Sequence, residues 1–275
     1  VNLNEDNIYL FVKEIYNLSG YDFRNYSFKS LYRRIEKILS DYNCSIEELI
    51  EKVKKNPLII DNIVKNITVN TTEFFRDPQV WIEFEEKIIP ELKNRDKIKI
   101  WHPGCSYGHE AYSMLILLNE NNLLHKATII ATDLNSEVLY FAKQGIFRYL
   151  VDLEYLANFD KVLNRSSEKN ISYSKYFEID HEKKILNFKS DYLGKIQFYK
   201  HDIVTSNYPT DNDLDVIMCR NLLIYFNIDL QNKVIYSFYK SLKINSFLIL
   251  GYYESIIGSL SAYFAKSGNI YKKIK

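Results

Sequence analysis

From Lys97 onward, short apolar runs recur along the chain, each closed by turn-forming residues: "KIKIW", "ATIIATD", "KIQFYKHD", "LDVIMCRN" and "FLILGYY". Stretches of helical periodicity lie between several of them, at Glu110–Asn119, Ser136–Gln144 and Asp229–Leu242. Each helix carries the chain back across the sheet, so consecutive strands end up parallel. The pattern predicts an α/β domain with a mostly parallel sheet. One segment breaks the alternation. "SKYFEIDHEKKILNFKSDYLGKIQFYKHD" holds two or three strand-like stretches separated by polar turns, with no helix. It predicts a small antiparallel β insertion at about 172–200.

The first seventy residues differ in texture. Ile8, Phe11, Val12, Ile15 and Leu18 recur at helical spacing until Ser19-Gly20 ends the pattern. Phe28–Tyr42 sets Leu31, Ile35, Ile38 and Leu39 against Lys29, Arg33, Arg34 and Lys37 on the other side. Ser45 and Glu48 stand in capping-box spacing, Pro57 closes that third helix, and a fourth is expected over Leu58–Asn66. These signals divide the chain into an all-α N-terminal domain (1–68), a linker and start of the next domain (69–90), and the α/β domain (91–275).

Composition narrows the function classes. Hydrophobic residues make up 47% of 275, enough for a large core. A formal net charge of +1 leaves no electrostatic footprint for nucleic acid. Cys44, Cys105 and Cys219 are dispersed and odd in number, which argues against a disulfide framework or a metal site and suits the cytoplasm. No apolar run approaches the roughly 20 residues that span a bilayer, and no signal segment opens the chain.

The chemistry concentrates in "IWHPGCSYGHEAYS", residues 100–113. Gly104 and Gly108 fall where a strand hands over to a helix, and the pair suggests a backbone approached closely by a ligand. Ligands of open parallel sheets sit outside the strands' carboxyl ends. Asp133 ends the next strand, where an acid can accept from both hydroxyls of a ribose. The dinucleotide pattern G-x-G-x-x-G and the phosphate loop are both absent, so a nucleoside without phosphates is favoured, S-adenosylmethionine being the common one. Glu110, just inside the helix, is placed to meet its ammonium. "NITVNTTEFFRD" (66–77) reads either as a linker anchored by Phe74 and Phe75 or as part of the site. "VIMCRNLLIYFN" (216–227) puts the polar pair Arg220 and Asn221 at a strand's carboxyl end.

Taken in order, these clusters resemble the CheR family of chemotaxis-receptor glutamate methyltransferases. "VNTTEFFR" (69–76) is similar to the family's T-N-E-T-x-F-F-R. "GCSYGHEAYS" (104–113) is similar to G-C-S-T-G-E-E-P-Y-S, "ATDL" (131–134) to A-T-D-I, and "CRNLLIYF" (219–226) to C-R-N-V-x-I-Y-F. "LILGYYES" (248–255) is a degraded form of L-x-L-G-x-S-E. The chain departs from the pattern at Tyr107, His109 and Ala111. A lone histidine such as His109 reads first as a surface helix residue, with a pH-sensitive contact as the sharper alternative.

The resemblance implies a Rossmann-like S-adenosylmethionine-dependent methyltransferase domain behind the helical domain. Asn70, Thr72 and Arg76 would line the cofactor and acceptor pocket. Glu110 would bind the methionine end, Asp133 the ribose, and Asp202 and Ile203 would flank the adenine. Arg220 and Asn221 would close the pocket near the methyl group, with Tyr225 beside it. The reaction implied is methyl transfer to glutamate carboxylates of a chemoreceptor's cytoplasmic helical bundle, giving methyl esters and S-adenosylhomocysteine. Arg76 would hold the acceptor carboxylate, and Tyr225 would position it or serve only in packing. Lys29, Arg33, Arg34 and Lys37 fit either a docking face for an acidic partner or a solvated helix face. The edge of the β insertion is a second candidate docking surface. A different class also fits: a catalytically weak or inactive module that senses the cofactor or binds a partner. Methylation of a small molecule or of nucleic acid fits less well.

Overall fold

In the computed structural model, residues 3–68, 70–166, 170–205 and 213–275 are described. Val69, which opens the first of the boxes above, lies outside them. Four helices come first: α1 (Glu5–Ser19), α2 (Phe28–Tyr42), α3 (Ile46–Lys55) and α4 (Ile59–Ile67). Gly20 terminates α1 in the left-handed region at φ 79°, donating its N–H to Tyr16 O. Ser45 and Glu48 form the expected reciprocal capping box. Ile8, Phe11, Val12 and Ile15 are buried with the inner faces of α2 to α4. Leu18, at the same spacing, is exposed because α1 ends one residue later.

Residues 78–93 form a helical segment: α5 (Pro78–Glu83), a π turn (Phe84–Ile88) and α6 (Ile89–Lys93). Pro90 brings no N–H to continue the ladder, and the π turn absorbs the shift immediately before it. Val80, Trp81, Phe84, Ile88, Ile89 and Leu92 are buried in the main core. This stretch is thus a packing layer of the α/β domain.

The main sheet is built from β1 (Ile98–Pro103), β2 (Ala127–Asp133), β6 (Ile196–Lys200), β7 (Leu214–Cys219), β8 (Leu242–Leu250), β9 (Phe264–Ser267) and β10 (Ile270–Lys273). Their order is β6-β2-β1-β7-β8-β10-β9. The first five strands run parallel, and β10 pairs antiparallel with both β8 and β9. Helices α7 (His109–Glu120), α8 (Ser136–Gln144) and α10 (Ile228–Ser241) make the crossovers the sequence pattern required, and α9 (Tyr149–Leu163) joins the main core beside them. Trp101, Ile217 and Leu248 point into the core on one face. Ile98, Ile100, Ile129 and Val216 point into the core on the other.

The insertion is narrower than 172–200 at one end and reaches further back at the other. Its sheet has the order β3-β5-β4, from β3 (Ile146–Arg148), β4 (Phe177–Asp180) and β5 (Ile185–Phe188), all antiparallel. Residues 196–200, expected within it, form β6 and pair in parallel with β2 in the main sheet. Alternation alone does not say which of two sheets a strand joins. The parallel register with β2 decides it, and Ile196 and Phe198 then turn into the main core.

The two domains touch at named points. Tyr26 bridges to Phe226, Ser27 N donates to Tyr225 O at 2.8 Å, Lys200 Nζ reaches Tyr21 Oη at 2.8 Å, and Lys65 pairs with Glu137 at 2.7 Å. No helix among the described residues is long and apolar enough to cross a membrane.

Candidate functional site

The sheet order places β1 between β2 and β7, so the chain leaves β1 in one direction first and returns later on its other side. Such a switch opens a crevice at the strands' carboxyl ends. Three segments converge there: the turn after β1 at Gly104, Asp133 at the end of β2, and Arg220-Asn221 after β7.

Two adjoining cavities occupy the crevice, of about 80 and about 270 Å³. Gly104, Asn221 and Tyr225 wall both. Together they have the scale of a small-molecule site. All ten residues nominated from the sequence line one or the other. Asn70, Asp133, Asp202 and Ile203 belong to the first, Thr72, Arg76, Glu110 and Arg220 to the second, and Asn221 and Tyr225 to both.

Asp133 is 8% exposed. Its Oδ2 accepts from Ser106 N at 2.8 Å and its Oδ1 from Asn135 N at 2.9 Å. Each oxygen keeps a further lone-pair direction, and the residue lines the first cavity. Burial raises its carboxyl above the ordinary aspartate range, while the backbone N–H bonds pull it back. The turn that supplies the Ser106 N–H holds Ser106 itself at φ 52°. Phe75, Asp77 and Asn221, also around the cavities, sit at φ 48°, 55° and 58°. Non-glycine residues held in this region cost free energy, and they persist where surrounding contacts over-determine them.

Those contacts are visible. Phe74 and Phe75 are fully buried. Phe74 lies edge-on to Phe147 and Phe177, and Phe75 to Trp81 and Phe159. The 70–77 segment is therefore both an anchored linker and a wall of the site. Its end is tied down from β7: Arg220 Nη2 donates to Arg76 O at 2.9 Å and to Asp77 Oδ2 at 2.5 Å, and Nη1 to Glu110 Oε2 at 3.2 Å. Arg76 itself lines the second cavity, its Nη1 donating to Thr71 O at a long 3.5 Å, near Glu73, whose carboxyl is raised by burial. Burial also raises the Tyr225 phenol, opposed by Arg34, Arg76 and Arg33 nearby.

The two glycines have different reasons. Gly104 (φ +68°) lines both cavities, and a Cβ there would come within 3.1 Å of Leu222. Gly108 (φ +87°) lines neither. A Cβ there would meet Ala142 at 3.1 Å and Phe198 at 3.3 Å, so its smallness serves the packing of α8 and β6 against α7. The expectation of a surface His109 is also corrected. The ring is 4% exposed, 4.6 Å from Phe74 and 4.7 Å from Phe147. Its helix face turns toward the insertion, whose β3 supplies Phe147. His109 and Tyr107 both line a separate cleft of about 600 Å³ that also touches Thr71 and Thr72.

Three contributions were not read from the sequence. Helix α2 walls the first cavity through Ser30, Leu31 and Arg34, so distance in sequence from the boxes did not mean distance in space. His102 meets Glu110, with Nδ1 2.9 Å from Oε1. Glu254 is buried after β8 and gathers the turn after β7. It accepts from Gly251 N, Asn221 N, Leu222 N and Leu223 N at 2.7–2.9 Å. The signal for Glu254 was the final, degraded box, whose glutamate it is.

Comparison with known proteins shows the family of the chain. Residues 70–271 match the CheR methyltransferase SAM binding domain and residues 6–68 the CheR methyltransferase all-alpha domain. Cher3 of Pseudomonas putida, whose methyltransferase designation is provisional, is 35% identical over 257 residues, covering 93% of this chain and 90% of that one. The chemotaxis protein methyltransferases of Listeria innocua and Borreliella burgdorferi are 29% and 27% identical, over 93% and 94% of this chain and 92% and 91% of theirs. With both domains matched across nearly its whole length, the chain belongs to the CheR family of S-adenosylmethionine-binding methyltransferases.

Proposed function

We propose that the protein transfers the methyl group of S-adenosylmethionine to glutamate side-chain carboxylates on the cytoplasmic helices of a chemoreceptor, forming methyl esters. The observation that carries this reading is Arg76 on the wall of the second cavity, with only a long 3.5 Å bond from Nη1 to Thr71 O and no carboxylate within ion-pair distance among the described residues. A guanidinium fork can hold an acceptor carboxylate without removing its charge.

The cofactor's binding residues fit the two cavities. Asp133, already oriented by two backbone N–H groups, has lone pairs for the ribose hydroxyls. Asp202 is oriented by bonds from Val204 N and Thr205 Oγ1, and with Ile203 it would border the base. Glu110 takes the ammonium of the amino-acid end. When bound, the cofactor supplies a methyl group activated by the neighbouring sulfonium. A glutamate acceptor is already ionised at neutral pH and requires no general base. The work left to the chain is alignment and exclusion of water. Tyr225 and Asn221, shared by both cavities, border the point where the nucleoside and acceptor ends meet.

The acceptor would arrive over α2. Lys29, Arg33 and Lys37 are exposed there, and Arg34 turns into the first cavity. A helix dense in glutamate complements that charge.

The test separates binding from transfer. Arg76→Ala is expected to keep affinity for S-adenosylhomocysteine while transfer to receptor falls roughly 10- to 150-fold, the loss of one or two bonds to a charged group. Arg76→Lys should recover part of it, because a point charge makes no fork. Near-full turnover by Arg76→Ala would remove Arg76 from the reaction. Binding without any transfer by the wild type would favour the cofactor-sensing module instead.

A further inference from the structure

We propose that His102 is a positioning residue that holds Glu110 in place for the ammonium of the cofactor's amino-acid end. The proposal rests on the reading of Glu110 given above.

His102 lies on β1 two residues beyond Ile100 and four beyond Ile98, so all three side chains share one face. That face packs into the main core, and the two isoleucines are wholly buried in it. His102 is wholly buried too. A polar ring in such a layer is costly unless it is hydrogen-bonded. Among the described residues its side chain has one hydrogen bond, from Nδ1 to Glu110 Oε1 in the first turn of α7. A carboxylate only accepts, so the proton sits on Nδ1. Nε2 has no hydrogen-bond partner among the described residues.

Among the described residues Glu110 has two holds, and they are unequal. Arg220 reaches it at 3.2 Å, a long contact. The shorter bonds of Arg220 go elsewhere, 2.5 Å to Asp77 and 2.9 Å to Arg76 O. Arg220 is committed to pinning the 76–77 turn. The 2.9 Å bond from His102 is the tighter hold on Glu110.

The charges agree with this division. One guanidinium is shared by two carboxylates, Glu110 and Asp77. These two carboxylates and one guanidinium carry one negative charge in excess, which complements one ammonium. Each Glu110 oxygen keeps a lone-pair direction for that donor. One bond from His102 Nδ1 thus fixes the carboxylate's direction and leaves those lone pairs free.

Calorimetric titration with two ligands tests the proposal. S-adenosylhomocysteine carries the amino-acid end, and 5′-methylthioadenosine keeps the nucleoside and sulfur without it. His102→Ala is expected to weaken S-adenosylhomocysteine about tenfold and leave 5′-methylthioadenosine within about twofold. His102→Asn, whose amide nitrogen can stand where Nδ1 does, should restore the first ligand to within about threefold of wild type. If the alanine variant fails to fold, His102→Phe fills the volume without a donor and should show the same ligand-selective loss. Equal weakening of both ligands, or an asparagine variant no better than alanine, would overturn the proposal. Glu110→Gln separates the two failures. If it loses S-adenosylhomocysteine selectively while His102→Ala does not, His102 alone is wrong. If Glu110→Gln loses nothing, the Glu110 reading is wrong.

Discussion

Replacing Asp133 by asparagine keeps its shape and removes one of its two acceptors. In the wild type, Oδ2 takes the Ser106 N–H and Oδ1 the Asn135 N–H, in a side chain almost closed to water. Asparagine satisfies one of these donors, and its amide group faces the other. A buried donor left unpaired costs about 1–3 kcal/mol, so a stability loss of that size is expected in denaturant unfolding. Asp133→Ala orphans both donors, and its cost should be about twice as large. Binding suffers separately. One ribose hydroxyl loses a charged acceptor, about 1.5–3 kcal/mol, which is roughly a 10- to 150-fold rise in Kd for S-adenosylhomocysteine. Calorimetry on folded Asp133→Asn reads that change directly. An unchanged Kd would refute the assignment of Asp133 to the ribose.

Because burial raises the Asp133 carboxyl, wild-type affinity should begin to fall, as pH drops, above the range of an ordinary aspartate. The bound state needs the ionised form, so affinity is lost as the free protein takes up that proton, and Asp133→Asn should lack this component. The same shift acts on stability with opposite sense: the folded state holds the proton more tightly than the unfolded chain, so this group's contribution to stability falls as pH rises through the raised value. Glu254→Gln sets an amide against backbone N–H groups that the carboxylate now accepts. Two orphaned donors predict a loss of about 2–6 kcal/mol in unfolding, and a loss well under 1 kcal/mol would show that the turn after β7 holds without it. Arg33→Glu with Lys37→Glu should leave cofactor affinity intact and slow receptor methylation, with the wild-type rate falling as salt rises past about 0.1 M and the variant responding less. Equal rates at low salt would make this face merely solvated. Arg34 is left out of that pair because it lines the first cavity.

The parallel sheet and four N-terminal helices were legible because their signals are local: period, cap and turn residues within a few positions of each other. Asp133, Glu110 and Arg220 could be gathered from the sequence because the carboxyl ends of alternating strands must meet at one edge, whereas Tyr225 came from the family resemblance alone; all four line the crevice. What escaped the sequence depends on choices made in space. Residues 78–93 carry two prolines, Pro78 and Pro90, and no clean 3.6-residue stripe, since a π turn shifts the register. Ile196–Lys200 alternates as an edge strand of either sheet would, and only its pairing with β2 settles its place. His102 reads as one more residue of an apolar strand until Glu110 is seen across from it. Arg34 reads as surface charge until the helical domain is docked on the crevice.

The most direct measurement is methyl transfer from radiolabelled S-adenosylmethionine to an intact chemoreceptor in native membranes, followed by mild base. A carboxyl methyl ester hydrolyses under base and releases its label as volatile methanol, whereas methyl groups on nitrogen stay in place. Label should appear on the receptor with wild-type protein, leave as methanol on base treatment, and fall with Arg76→Ala. Receptor that takes no label, or label that resists base, would contradict glutamate methylation by this protein.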